Sequence, residues 1–302
     1  MKNILCSGNV SVDIKAYSAE VDDTEAYREG SIELVPGGVG RGMAINLKHL
    51  GFNTFIHSVV GKDIFGEYLK KGLEEEGIKT DLLRESPERK TALFSVMASR
   101  GKSATCVYST QILKEIVFDA DVEKVIKEND ISAFVMDSNL SEETLEGFYN
   151  YKKTHPEIFI FQNATAPDIA RKTMKYTPLI DLFGCNEYEA AAILGEASVL
   201  PDLTTVSKFK KLGYKNFIIT FGEQGVMVNI GDETWNEPPY TPAQIVDTIG
   251  AGDAFASGFL MGFLEGDPVK RCIHYGLACA KETLLTRQTV SNKLSKSFLE
   301  SY

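Results

Sequence analysis

Short apolar runs and amphipathic stretches take turns along most of this chain. Short segments rich in apolar and β-branched residues at 4–6, 54–60, 133–137, 158–162, 181–183 and 217–221 predict strands. Apolar positions at helical spacing over 43–50, 64–76, 142–151 and 187–194 predict helices between them. Two apolar helices, 254–264 and 269–285, close the chain. This alternation predicts an α/β fold, a parallel sheet covered by helices on both faces. A few segments do not fit it. Residues 10–17 read as extended, 31–35 alternate like a strand, and 91–98 with 104–109 form a hairpin around a turn at 100–102. They are placed together as a small β-lid, about 10–36 and 91–110, over the edge of the sheet. The polar, acidic run 19–30 reads as a loop within it, and a further hairpin is expected over 225–235. No Pro/Gly/Ser-rich linker or internal repeat divides the chain, so one domain over 1–302 is expected.

Composition narrows the partners. The chain has 302 residues, 43% hydrophobic and 25% charged, as in an ordinary globular protein. A formal net charge of −10 argues against polyanions, so neither nucleic acid nor an anionic membrane is expected as a partner. Small phosphates remain open, because backbone amides can hold them locally. The five cysteines (Cys6, Cys106, Cys185, Cys272, Cys279) form no Cys-x-x-Cys pair and are odd in number. They read as reduced, mostly buried thiols of a cytoplasmic protein. No apolar run is long enough to span a bilayer, and the chain enters its first strand without a leader-like layout. The four histidines show no metal-ligand spacing.

The richest chemistry lies at Asp247-Thr248-Ile249-Gly250-Ala251-Gly252-Asp253, which runs into the helix at 254. Small residues at a helix entrance leave backbone N–H groups unobstructed, and the positive end of the helix attracts anions. Asp253, in the first turn, could accept a proton from an attacking hydroxyl. The tetrapeptide alone also fits a plain helix start, since Asp is favoured there. Asn186 and Glu189 are three residues apart and share a helical face, which by itself suits a solvated helix start. Gly37 and Gly38 alone would make a turn, Asp13 a solvated loop residue, and Asn139 a cap for the helix that follows. Gly101-Lys102-Ser103 mimics the end of a P-loop but lacks its earlier glycine, and 38–42 mimics a dinucleotide fingerprint but lacks its last one.

Taken in order, the motifs resemble one family. DTIGAGDAFASGFL at 247–260 resembles the C-terminal signature of the ribokinase-like (PfkB) kinases. Pro36-Gly37-Gly38-Val39-Gly40-Arg41 resembles the family's Gly-Gly substrate loop, in wording closest to pseudouridine kinases. VGKDIFG at 60–66, NEYE at 186–189 and DSNLSEE at 137–143 match in the same order, so the resemblance runs from about Gly8 to Arg287. It implies a ribokinase-like three-layer α/β/α fold with a mostly parallel central sheet and a small β-lid. It implies an ATP-dependent phosphotransferase acting on a hydroxymethyl group of a sugar or nucleoside.

Residue by residue, the resemblance makes Asp253 the base and gives the amides of Gly250, Ala251 and Gly252 the transferring phosphate. Asp13, Gly37, Gly38, Arg41 and Asn139 fall at substrate positions. Asn186 and Glu189 would order the waters of ATP-bound Mg2+, and Thr220, Gly222 and Gly225 would approach the nucleotide. Asp247 falls at a monovalent-cation position, for an ion such as K+. Three departures bear on the substrate. Gly42 stands where an Asn is usual, Asn163-Ala164 replaces an Asp-Pro common in pseudouridine kinases, and the lid turn 99–103 lacks their acidic-Gly-Glu wording. A pseudouridine-like nucleoside is the first choice and a free pentose or hexose the second. A sugar phosphate comes third, with only Arg41 and Lys102 available for a second phosphate. From another class, a non-catalytic sugar- or nucleotide-binding regulator would fit the same fold. The β-rich lid edges suggest a homodimer through the lid.

Overall fold

The structure is a computed structural model that describes residues 2–18, 29–99 and 105–302. The expected acidic loop and the lid turn with Lys102 lie outside the described residues, apart from the last residues of the loop. The strands are β1 (Asn3–Ser7), β2 (Ser11–Ser18), β3 (Gly30–Gly37), β4 (Asn53–Gly61), β5 (Lys79–Ser86), β6 (Ala92–Ser99) and β7 (Thr105–Ser109). They continue with β8 (Ile131–Asp137), β9 (Phe159–Asn163), β10 (Leu182–Asn186), β11 (Phe217–Thr220), β12 (Val226–Ile230) and β13 (Glu233–Glu237). The α-helices are α1 (Val39–His49), α2 (Ile64–Glu75), α3 (Ala120–Glu128), α4 (Glu142–Thr154) and α5 (Glu187–Leu194). The rest are α6 (Leu203–Lys211), α7 (Ala251–Glu265), α8 (Val269–Thr283) and α9 (Lys296–Glu300).

Nine strands form one sheet in the order β13-β12-β11-β10-β9-β8-β1-β4-β5. The pairs from β5 to β11 are parallel, and β12 and β13 add an antiparallel edge. Successive strand residues point to opposite faces, so the sheet buries two cores. Leu5, Phe55 and Phe134 pack on one face with residues of α3, α4, α5 and α6. Ile4, Ile56 and Val135 pack on the other with residues of α1, α2, α7, α8 and α9. This is the expected three-layer arrangement. The segments that broke the alternation form a second sheet in the order β3-β2-β6-β7.

Two local readings need correction. The glycines at 38, 40 and 42 do not all lie in a loop, because α1 begins at Val39. Gly40 is helical because the N-terminal end of α1 presses on the β1–β2 turn, where a Cβ at 40 would come within 2.8 Å of the Gly8 carbonyl carbon. The edge strand β5 and the helices α3 and α6 were not anticipated. In β5 only Leu82, Leu83 and Ser86 are buried, so its pattern resembles a polar loop. The two helices are announced mainly by their N-caps, Asp119 and Asp202. No helix among the described residues is long and apolar enough to cross a membrane.

Candidate active site

The parallel strands all end on one rim, and the β2–β3–β6–β7 sheet stands beside it. Between them lies a cleft of about 460 Å³, lined by Asn9, Asp13, Gly38, Asn139, Gly250 and Asp253 among others. Open parallel sheets place ligands outside the carboxyl ends of their strands. A hollow of about 570 Å³ by α7, α8 and α9 contains none of the candidate residues. Some of its charges already pair with one another, Lys296 with Glu265 at 2.7 Å and Arg271 with Asp267 at 3.4 Å. The smaller cleft is therefore the candidate site.

Asp253 sits in the first turn of α7, and no side chain caps that helix. Gly250 precedes it with φ of 87°, a left-handed conformation that glycine adopts freely. A Cβ there would also stand 2.2 Å from the Thr289 carbonyl oxygen. The three small residues do not contribute equally. The Ala251 N–H donates to the Thr248 carbonyl at 3.3 Å, so it is turned partly into the loop. The N–H groups of Gly252 and Asp253 belong to the first turn, which has no intrahelical partner to offer them. Gly252 is exposed, with no atom within 4 Å of where its Cβ would be.

The Asp253 carboxyl is pushed up to about 7, first by burial, then by the nearby charges of Asp137 and Glu189, against a hydrogen bond from Asn163. Asn163, at the end of β9, donates from Nδ2 to Asp253 Oδ1 at 3.4 Å. Its own Oδ1 accepts the Thr165 N–H at 2.8 Å, which fixes the amide with its donor toward the carboxylate. On the other side, α1 faces Asp253 at Gly42, where a Cβ would lie in ordinary van der Waals contact with Oδ2, 3.6 Å away.

The floor is built from the ends of β1 and β8. Asp137 is 1% exposed, and burial raises its carboxyl. Its Oδ2 accepts the Asn9 N–H at 2.7 Å and its Oδ1 the Asn139 N–H at 2.9 Å. One carboxylate therefore positions two cleft segments, and sequence reading gave it no role. Asn9 was also missed. Its side chain is buried, lines the cleft, and its Oδ1 has no hydrogen-bond partner among the described residues. A buried acceptor without a partner beside a cavity is what a hydroxyl-bearing ligand would satisfy.

Asp13, on β2, is buried, and burial raises its carboxyl to about 6 despite Lys15 and Arg41. Gly37 lies against it, where a Cβ would come 2.3 Å from Oδ1. Gly38, with φ of 96°, leaves no room for a Cβ beside the Asn9 carbonyl. Asn139 lines the cleft, and its plainer role falls to Ser141, which caps α4. Arg41 is not among the lining residues. Its Nη1 donates to the Pro36 carbonyl at 3.0 Å and Thr289 Oγ1 at 3.4 Å, bracing β3 against the C-terminal loop, and burial lowers its pKa to about 10. The opposite wall is largely apolar. Phe94 and Tyr108 stack there at 5.6 Å, alongside Val96, Leu113 and Ile169. Lys172 closes one end, with Nζ on the carbonyls of Ser138 at 2.8 Å and Leu140 at 3.0 Å.

The expected nucleotide residues lie on neighbouring strand ends rather than in this cleft. Asn186 and Thr220 are register partners at the ends of β10 and β11. Asn186 and Glu189 form a capping box: Asn186 Oδ1 accepts the N–H groups of Tyr188 and Glu189, and Glu189 Oε2 accepts that of Asn186 at 2.8 Å. Glu189 is 5% exposed, and burial raises its carboxyl to about 7. Gly222 is exposed with φ of 53° and open space above it. Gly225 instead packs on backbone, with its Cβ position 2.1 Å from the Glu237 carbonyl oxygen. Asp247 is engaged by Lys15, whose Nζ lies 2.5 Å from Oδ2. No group of three or more His, Cys, Asp or Glu placed to hold a metal ion occurs among the described residues.

Comparison with known proteins gives a consistent picture. The model of the pfkB family carbohydrate kinases matches residues 1–296. A ribokinase from Bacillus subtilis is 25% identical over 279 residues, 91% of this chain and 90% of that protein. A pseudouridine kinase from Escherichia coli is 25% identical over 297 residues, 97% of this chain and 93% of its own. Among solved structures, the ribokinase of Arabidopsis thaliana complexed with ribose and ATP superposes with a TM-score of 0.85 at 17% identity, covering 99% of this chain and 97% of that one.

Proposed function

Because the chain belongs to the pfkB family of carbohydrate kinases, and so is a sugar or nucleoside kinase, we propose that it transfers the γ-phosphoryl group of ATP to a hydroxymethyl group of a nucleoside. The observation that carries this reading is the position of Asp253: a carboxyl held near neutrality, at a bare helix N-terminus, on the wall of a cleft with a polar floor and an aromatic side. The acceptor's hydroxyls meet Asp13, Asn9 and Asn139, and the backbone of Gly37 and Gly38 allows close approach. Asp253 takes the proton of the hydroxymethyl group as its oxygen bonds to the γ-phosphorus. The bond from that phosphorus to the β–γ bridging oxygen breaks, and ADP leaves.

The N–H groups of the Gly250–Gly252 turn and the positive end of α7 stabilise the transferring charge, with Gly252 the most open and Ala251 the least. Asn186, Glu189, Thr220 and Gly222 would line the nucleotide. The raised carboxyls of Glu189 and Asp253 repel one another, so a divalent cation nearby would be welcome. Magnesium would arrive with ATP, and Glu189 would face its waters. When bound, such an ion would supply positive charge to the phosphate oxygens.

Phe94 and Tyr108 favour a nucleoside over a free sugar. A flat aromatic base would cover them, whereas a pentose alone would leave the wall wet. Measuring ATP consumption over a panel of nucleosides, pentoses and hexoses tests this. Preferred turnover of a free sugar overturns the nucleoside assignment, and binding without turnover of any candidate overturns catalysis. For assembly, we propose a homodimer through the lid. β3 and β7 are the edge strands of its sheet, and Ile32 and Leu34 on β3 and Val107 on β7 are exposed. A monomer mass in solution overturns that.

A further inference from the structure

The cation position implied at Asp247 does not fit a metal ion in this chain. Lys15, on β2, is 2% exposed, and its Nζ donates to Asp247 Oδ2 at 2.5 Å and to the Arg287 carbonyl at 3.2 Å. The Asp247 side chain is itself only 12% exposed. A side-chain carboxylate and a backbone carbonyl from the C-terminal loop are the oxygen donors a monovalent cation would use. Here they already hold a positive charge. An ammonium group carries the same charge as K+ and is close to it in size, but this one is covalently tethered. A metal ion entering beside it would compete for the same oxygens and place two like charges together in a poorly solvated site.

We infer that Lys15 is a built-in replacement for the monovalent cation, so that phosphoryl transfer by this protein needs no K+ or Na+. The inference deepens the kinase reading and rests on it. The geometry also gives the lysine a positioning role. Asp247 Oδ1 accepts the Ile249 N–H at 3.0 Å, next to Gly250. Asp13 and Lys15 lie on the same face of β2. The ammonium therefore ties the strand that carries the substrate carboxylate to the turn that carries the anion site. A dissociable ion would make that connection only when bound; Lys15 makes it permanently. Charges around the pair are also accounted for, since Arg287 is paired with Glu33 and Arg41 is turned to Pro36 and Thr289.

The test compares the wild-type chain in KCl, NaCl and choline chloride at equal ionic strength. Turnover of the best acceptor should agree across the three salts, and so should the melting temperature. Activation by K+ beyond about threefold overturns the inference, as does a melting temperature raised by K+ over choline. Lys15→Ala should melt lower in choline and recover in part when K+ or ammonium ion is added, with turnover following the same order. A Lys15→Ala chain that behaves as wild type and ignores every cation also overturns it. If that variant does not fold, the wild-type salt comparison alone still decides. The melting arm needs no turnover. A chain that phosphorylates nothing would sink the kinase reading, while the melting temperatures would still decide whether Lys15 fills the cation position.

Discussion

The helices α5 and α7 both start at the carboxyl rim of the same sheet, yet their N-termini are finished in opposite ways. The start of α5 is closed by its own sequence, with Asn186 and Glu189 trading hydrogen bonds across the first turn. The start of α7 is left open, with a left-handed glycine, no side-chain cap and Asp253 in the first turn. A helix must satisfy its first amides somehow. Where the chain supplies the partners, the first amides are not free to hold an anion. Where it withholds them beside a cavity, the end is prepared for an anion from outside. The same two carboxylates also differ in duty: Glu189 is locked to backbone, whereas Asp253 is held by one long amide contact from Asn163.

The sharpest way to break this contrast is at Asp253. Asp253→Asn should lower kcat by at least ~10²-fold, the usual scale for losing a general base. Steady-state assays with the preferred acceptor check it, and near wild-type turnover would remove Asp253 from its role. The same variant has a stability signature. A carboxyl raised from 3.8 to about 7 contributes stability that is present below pH 3.8 and lost as pH rises through about 7. Asp253→Asn should therefore melt above wild type at pH 8, and the gap should close toward pH 4.

Closing the open end comes next. Gly250→Ala forces a side chain onto the Thr289 carbonyl at an unfavourable φ. We expect kcat/KM to fall about tenfold or more, with a loss of ~1–3 kcal/mol in denaturant unfolding. Asn163→Asp should act through Asp253 alone. A second carboxylate would disfavour its ionised form, moving the acid limb of the pH–rate profile up from about 7 by about one unit. An unmoved limb would mean that Asn163 does not position the base. The smallest effect is expected at the closed end. Asn186→Ala removes a cap at a cost of ~1 kcal/mol and should lower the melting temperature by about 2–4 °C. The KM for ATP should rise beside it, and an unchanged KM would remove Asn186 from the nucleotide site.

Much of the fold was legible because burial leaves a periodic trace. The interior strands β1, β4 and β8 are buried along most of their length and are rich in apolar residues. β5 was lost because an edge strand buries little. The start of α1 was misplaced because glycine usually breaks a helix. At Gly40 the missing side chain instead lets the helix press onto the β1–β2 turn. In the site, Asp253 stood out in its own glycine-rich motif, whereas Asp13 and Asn139 became candidates only through the family resemblance. Asn9, Asp137 and Lys15 were passed over although Asp137 opens the DSNLSEE stretch and Lys15 follows Asp13 by two residues, because their partners lie far away in the chain.

By itself the amino-acid sequence determined the α/β alternation, the glycine-rich entrance to α7 and the acid placed in its first turn. These are local properties, set by side-chain type and period over a few residues. Only the tertiary structure decided which polar groups face one another across long separations. Asp137 reaches back to Asn9, Asn163 reaches forward to Asp253, and Lys15 crosses 232 residues to Asp247. Electrostatic and hydrogen-bond partners are chosen by distance in space, and a buried charge acquires its meaning from the partner that folding delivers.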